Sequence, residues 1–429
     1  MLKNNRKIVD CSVIGAALFA MFFGAGNMIF PPYLAHKAGT EWIAGFLSYY
    51  IADIGLALLA ILAQTKTGGY EKLLSPFGKY SGKALMFVMV LCIGPIISIP
   101  RTAATTFELS ILPSFPKMNM AIFYALFFLV TALFCIKKSA VVDLIGKILT
   151  PVLFIGLLAL IIKGVITPLG DITLPSRSES IVADGIEAGY QSMDVLAAVI
   201  FGVLILNSAK EKGYVTEKAT AKIAAGAGIV SATGLLIIYL GLSFLGATSC
   251  TLYDMHISRT ELLTSLVSSL FPGKFGTVFF GIIAGFACLS TAIALTCASA
   301  EYFEKAFCGR IKYKTLVVII SIFGAAASLL GVEGLVSIAS PILSIIYPPI
   351  LVLIVYAFFS KKTDRTVCRF AAYTALLFGS LQVAVSLGLP ISIISHLPLN
   401  DLGLGWILPT VIMALLGYVF SKLINKKPV

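Results

Sequence analysis

Charge is scarce in this chain. Only 12% of its 429 residues are Asp, Glu, Lys or Arg, while 59% are hydrophobic. A soluble protein carries about 25% charged residues, so this inventory cannot cover a water-solvated surface. Histidine is reduced to His36, His256 and His396, which fall on three separate loops between apolar runs and read as ordinary surface residues. The eight cysteines form no CxxC pair, so neither a disulfide framework nor a thiolate metal site is indicated, and inert thiols are expected. There is no HExxH, no Walker loop, no GxSxG and no paired DxxxD. Those absences count against a membrane-embedded enzyme and remove an ATP-driven pump from the readings of this chain.

What is present is apolar sequence in long runs, with a mean hydropathy of +0.99. The runs are continuous and helix-length, not the roughly 10-residue alternating stretches of a barrel strand. The expected fold class is therefore all-α, a polytopic membrane protein. Pro, Gly and polar punctuation divides the runs into twelve segments: 8–34, 41–63, 84–110, 119–136, 141–163, 182–208, 223–247, 275–303, 314–332, 335–359, 369–389 and 403–424. Lys3, Arg6 and Lys7 precede the first run as in a signal peptide. The run is too long for one, so a retained first segment is expected.

The net charge of +12 is carried by short clusters between these runs. Such clusters orient spans in a bilayer and do not make a nucleic-acid surface. Under twelve crossings, 25 of the 32 lysines and arginines fall on the side of the N-terminus. Six lie opposite (Lys37, Lys117, Lys163, Arg177, Arg259, Lys274), and Arg101 falls within a segment. This alternation predicts an even number of crossings with both termini in the cytoplasm. The opposite side carries two long polar loops, 164–181 and 248–274, the second with room for a short amphipathic helix at 258–270.

Three segments carry interruptions. In Phe23-Gly24-Ala25-Gly26-Asn27, the glycines weaken the helix and Asn27 places an amide at a depth where amides are expensive. Either the helix is kinked for close packing and ended by Pro31-Pro32, or it opens around a ligand. Segment 6 has Ala-Gly-Tyr-Gln-Ser-Met-Asp at 188–194. Breaks five segments apart are what an inverted five-plus-five repeat requires of a midplane site. In segment 8, Ser290 and Thr291 either complete an oxygen cage for a cation or bond their own helix carbonyls. Asp53, Arg101 and Asp194 are ionisable groups inside segments. Arg101 either pairs with Asp53, Asp194 or Glu108, or helps to gate the external side.

Three motifs add a family resemblance. FFGAGNMIFPP in segment 1, GPIISIPRTAATTFE in segment 3 and ACLSTAIAL in segment 8 resemble the bacterial branched-chain amino acid:cation symporters. The similarity extends over essentially the whole chain. It implies a plasma-membrane carrier for leucine, isoleucine and valine, coupled to sodium or to protons, with no other cofactor and no obligate protein partner. It implies the inverted-repeat fold of the amino acid–polyamine–organocation superfamily, with repeats over 1–163 and 164–359 and two further helices over 360–429. By the same resemblance, the backbone at Ala25, Gly26 and Asn27 holds the substrate carboxylate, and Tyr190, Gln191 and Asp194 receive its ammonium. Sodium then lies between carbonyls of Ala20 and Phe23 and the groups Ala287, Ser290 and Thr291. A channel would favour charge rings or a repeated filter, and neither is visible.

Overall fold

The computed structural model describes residues 2–136, 150–254, 256–359 and 364–424. Among them every regular element is a helix, and a helix overlies each of the twelve apolar segments. That is what a lipid-facing backbone demands, because helices satisfy their own N–H and C=O groups. The first part of segment 5 and the connection before it, with Lys137, Lys138 and Lys147, lie outside the described residues, as do Lys361, Lys362, Lys426 and Lys427.

Among the described residues, seven helical stretches have the length and composition to cross a membrane, and three shorter apolar helices accompany them. Two of the seven, Ala25–Thr67 and Tyr313–Phe359, run to 43 and 47 residues. Straight, either would exceed about 60 Å, twice a bilayer's hydrocarbon thickness. Each is turned at a positive-φ glycine, Gly39 (φ +53°) and Gly331 (φ +70°). Segment 4 shows how the periphery is made. Ile122, Leu126, Leu129 and Leu133 recur at helical spacing and are all more than half exposed. In a protein with so little charge, such a stripe faces acyl chains.

The interior is built from the interrupted segments. Segment 1 (Leu2–Phe22 and Ala25–Ala38) packs along segment 7 (Glu217–Ala247), and the Ala25–Ala38 half also meets segment 6. Segment 8 (Lys274–Ala306) packs on the Ser98–Thr106 helix of segment 3. Segments 11 and 12 (Arg365–Ser386 and Ile407–Ile424) pack on each other, and segment 11 on segment 10. The amphipathic helix expected at 258–270 forms over Arg259–Leu270. Ser258 caps it by accepting from the Glu261 N–H, and Leu262, Leu263, Leu266 and Val267 are buried beneath it.

Pro31-Pro32 do not end the first segment. Both sit inside Ala25–Ala38, buried, where they remove donors from the Asn27 and Met28 carbonyls. Because that helix continues, His36 is not a surface residue as expected. It is 2% exposed, with Nδ1 2.9 Å from the Ser249 hydroxyl. His256 and His396 are exposed. Loop 164–181 reaches over the same end, where Thr40 N–H donates to Leu174 O at 2.9 Å and Arg177 N–H to Lys37 O at 3.0 Å.

Segments 1 and 7 approach closely at Gly246. A Cβ placed there falls 2.0 Å from Pro32 O, so the two backbones touch. Gly246→Ala should lower the thermal midpoint of the detergent-solubilised protein by several degrees, an overpacking cost of about 1–3 kcal/mol. Leu126→Ala on the lipid face serves as the control. Equal midpoints for both variants count against the close contact.

Candidate functional site

Segment 1 opens after Phe22. The Phe23 N–H still bonds to Phe19 O at 2.8 Å, but Gly24 is extended (φ −125°, ψ −161°) before the helix restarts at Ala25. The Gly24 N–H donates to Asn27 Oδ1 at 3.1 Å, which caps the new helix. Glycine is needed here for space. A Cβ on Gly24 stands 3.1 Å from Thr291 Oγ1, and one on Gly26 stands 2.9 Å from Arg101 Nη2.

Segment 6 opens at Met193, a side-chain-bearing residue at φ +68°. Such a conformation costs about 1–2 kcal/mol. Ser192 therefore closes the half-helix Ile181–Ser192, and Asp194 begins the next, Asp194–Glu211. A carboxylate at that N-terminus meets the positive end of the helix dipole.

Asn27 joins the two openings. Its amide nitrogen donates to Asp194 Oδ2 at 2.8 Å, reaches Asp53 Oδ2 at 3.5 Å, and contacts the Tyr239 hydroxyl. Asp53 comes from a π turn, Ile51–Gly55, in segment 2, and accepts the Ser192 hydroxyl at its other oxygen. Asn27, Asp53 and Asp194 are 2%, 0% and 4% exposed. An amide has two hydrogens, so three acceptors compete for them. Both carboxyl groups thus converge on one amide nitrogen.

Arg101 faces the same cavity from segment 3. The helix there breaks at Gly94 (φ −92°, ψ −124°) beside Pro95 and resumes over Ser98–Thr106. Pro100 lies in that new first turn, where its missing donor costs nothing. Arg101 is 2% exposed. Its Nη1 donates to Gln191 O at 2.6 Å and its Nη2 to Ser192 O at 3.3 Å. The pairing expected with Asp53, Asp194 or Glu108 is thus replaced by the last carbonyls of a half-helix. A guanidinium suits that negative end. The Phe30 ring lies 5.6 Å from Arg101 Cζ and 5.7 Å from Arg259 Cζ. Glu108 belongs elsewhere. It accepts from Thr260 Oγ1 at 2.6 Å and Val332 N–H at 3.0 Å, fastening the Arg259–Leu270 helix to the start of segment 10.

The remaining expected residues divide. Thr291 Oγ1 donates to Phe23 O at 3.4 Å, which brings segment 8 to the opening of segment 1. Ser290 takes the local alternative and donates to Ala287 O at 2.8 Å. Ala20 is buried one turn before Phe23. Tyr190 stacks on Tyr347 at 4.2 Å, and the Gln191 amide donates to Glu187 at 2.9 Å. Neither side chain lines the cavity. Sequence reasoning singled out neither Ser192 nor Tyr239. Ser192 lay within the interrupted stretch of segment 6, whereas Tyr239 sits in an apolar run that marks nothing. The cavity itself holds about 20 Å³ between Gly24, Gly26, Asn27, Arg101, Asp194 and Thr291, room for a water or a cation.

The sequence profile of the branched-chain amino acid transport protein family matches residues 7–424. The chain belongs to this family. It is 36% identical to the branched-chain amino acid permease BraB of Bacillus subtilis strain 168, covering 99% of this chain and 98% of the relative. The permease BrnQ of Escherichia coli K12 is 34% identical over 96% of both chains. The branched-chain amino acid transport system 3 carrier of Pseudomonas aeruginosa is 32% identical over 97% of both.

Solved structures share the family member's fold at low identity. Mhp1, a nucleobase-cation-symport-1 family transporter in a closed conformation, superposes with a TM-score of 0.67 at 13% identity, over 97% of this chain and 92% of its own. A Na+-coupled sialic acid symporter gives 0.65 at 16%, over 96% and 90%. MhsT in complex with L-phenylalanine gives 0.56 at 20%, over 96% and 98%. The chain is a multi-pass membrane transport protein of this helical fold, and not an enzyme.

Asn27→Ala leaves two buried carboxyl groups short of a donor. It should destabilise the protein by about 1–3 kcal/mol in thermal or denaturant melts. Asn27→Ala combined with Asp194→Ala should cost less than the sum of the single changes. Strict additivity would mean that the two side chains do not interact.

Proposed function

We propose that the protein imports leucine, isoleucine and valine across a bacterial plasma membrane by symport with a cation, sodium in first place. The names of its relatives support the substrate class. The observation that carries the mechanism is the meeting of two opened helices, segments 1 and 6, across one buried polar cluster centred on Asn27. Half-helix N-termini at Ala25 and Asp194 offer free N–H groups at such a break, and the opened backbone offers carbonyls.

In this reading the substrate carboxylate lies against the backbone of Ala25, Gly26 and Asn27, and Asp194 takes the ammonium. Met21, Phe22, Ile93, Ala197 and Leu295 line the same cavity and supply an apolar wall for a branched side chain. Burial of that side chain is worth about 1.5–3 kcal/mol. One methylene separates substrates by only about 1–3 kcal/mol, so Leu, Ile and Val share the site. The cation lies between the carbonyls of Ala20 and Phe23 and the Thr291 hydroxyl, with Ala287 and Ser290 completing the set when Ser290 releases its local bond. With Asp53, Asp194 and Arg101 all ionised, the cluster is short by one positive charge. A zwitterion adds none, and a single monovalent cation balances it.

Twelve crossings, both termini cytoplasmic, repeats over 1–163 and 164–359 and two added helices over 360–429 fit the charge alternation and the positions of the breaks. Movement of one repeat against the other then exposes the site to alternate sides, as the closed cavity requires for anything larger than water. A second reading replaces sodium by a proton. Its support is the convergence of Asp53 and Asp194 on the Asn27 amide nitrogen, since one proton held by this pair of acids supplies the missing charge.

Labelled leucine uptake into proteoliposomes decides between them. An inward sodium gradient should drive accumulation, and Thr291→Ala should raise the sodium concentration for half-maximal uptake at least threefold, with leucine affinity kept at saturating sodium. Accumulation driven by a proton gradient alone moves coupling to the carboxyl pair. Gly26→Leu should abolish uptake with membrane insertion intact. No leucine accumulation under either gradient would remove the substrate assignment.

A further inference from the structure

Arg101 is more than a brace for segment 6. Of its three nitrogens, Nη1 is committed to Gln191 O at 2.6 Å and Nη2 only weakly to Ser192 O at 3.3 Å. Nε is fully buried and has no partner. A buried guanidinium N–H left without an acceptor is costly, and it points to an acceptor that arrives with a ligand. The Nε–Nη2 edge is the side-on fork of an arginine, matched to the two oxygens of a carboxylate.

That edge is placed for a ligand. Arg101 borders the cavity together with Gly24, Gly26 and Asn27. Its Nη2 is the nearest atom to where a Cβ on Gly26 would stand, 2.9 Å away. Gly26 carries no side chain there, so the guanidinium lies directly against the N-terminus of the Ala25–Ala38 half-helix, at the wall of the cavity. Asp194 and Asp53, the acids of the site, are already engaged by Asn27 and Ser192.

We propose that Arg101 binds the α-carboxylate of the transported amino acid through its Nε–Nη2 edge, opposite the backbone N–H groups of the segment 1 half-helix. This rests on the amino acid reading above and adds a side-chain receptor to it. The carboxylate bridges segments 3 and 1, and Nη2 exchanges its long bond to Ser192 for a charged one. Arg101 is then a specificity-determining residue. An amine of the same shape has no acceptor for the fork, and an amide offers one neutral oxygen in place of two charged ones, so the site discriminates against both.

The test is displacement of labelled leucine from the purified full-length protein by leucine, leucinamide and isoamylamine, in saturating sodium. The wild type should prefer leucine to leucinamide by about 100-fold or more. In Arg101→Lys, which keeps the charge and loses the fork, leucine affinity should fall roughly 10- to 100-fold while leucinamide changes less than about threefold. A folded Arg101→Lys protein with the wild-type preference overturns the proposal and leaves Arg101 as a brace. So does a wild type that binds leucinamide as tightly as leucine.

Should the variant fail to fold, arginine Nε–H resonances of labelled wild-type protein decide. Leucine should shift one such resonance and leucinamide should not. Equal responses, or none, overturn the assignment. Wild-type protein that binds no leucine at all overturns the amino acid reading itself, a result distinct from binding without discrimination.

Discussion

One amide nitrogen organises the centre of this protein. Asn27 Nδ2 meets acceptors from segments 2, 6 and 7, and its own Oδ1 holds the Gly24 N–H of segment 1. Four segments are thus tied at a depth where an unpaired polar group is expensive. The apolar residues around it offer no hydrogen-bonding partners, so the network is satisfied internally or by whatever occupies the cavity. Its position explains why segments 1 and 6 stay open at the same level. Neither half-helix can close without giving up a partner of Asn27.

Around that knot, backbone and charge are matched. Asp194 stands at a helix beginning, and Arg101 stands at a helix end. Each ion sits where the peptide dipoles favour its sign. The glycines act differently, by leaving room. Gly24 admits Thr291 and Gly26 admits the guanidinium, so segments 3 and 8 reach the opening of segment 1 through absent side chains. Away from this centre the chain obeys simpler rules, with apolar stripes outward and small residues where helices touch.

Much of this was legible in the sequence. A Gly-x-Gly-Asn inside an apolar run, and acids inside others, mark positions that cost too much to be incidental. The apolar runs follow from Pro, Gly and polar punctuation, and the amphipathic pattern of the second long polar loop marks the helix at 258–270. The partners of Arg101 were not legible, because backbone carbonyls leave no trace in composition. Tyr239 was hidden for a related reason, as a phenol in an apolar run reads like any aromatic. Ser290 and Thr291 looked equivalent as neighbours. Adjacent helical residues point about 100° apart, and only Thr291 turns toward Phe23. His36 was misread because two prolines suggested an end where the helix goes on.

The two openings differ in kind. Segment 1 bends at glycine, which has a broad choice of backbone angles. Segment 6 bends at Met193, whose side chain confines a positive φ to one small basin. The first is a supple joint and the second a fixed elbow. The elbow at Met193 holds Ser192 and Asp194 in a set relation at the end of one half-helix and the start of the next. Backbone freedom lies instead at Gly24, where the chain can turn without forcing a side chain through a forbidden conformation.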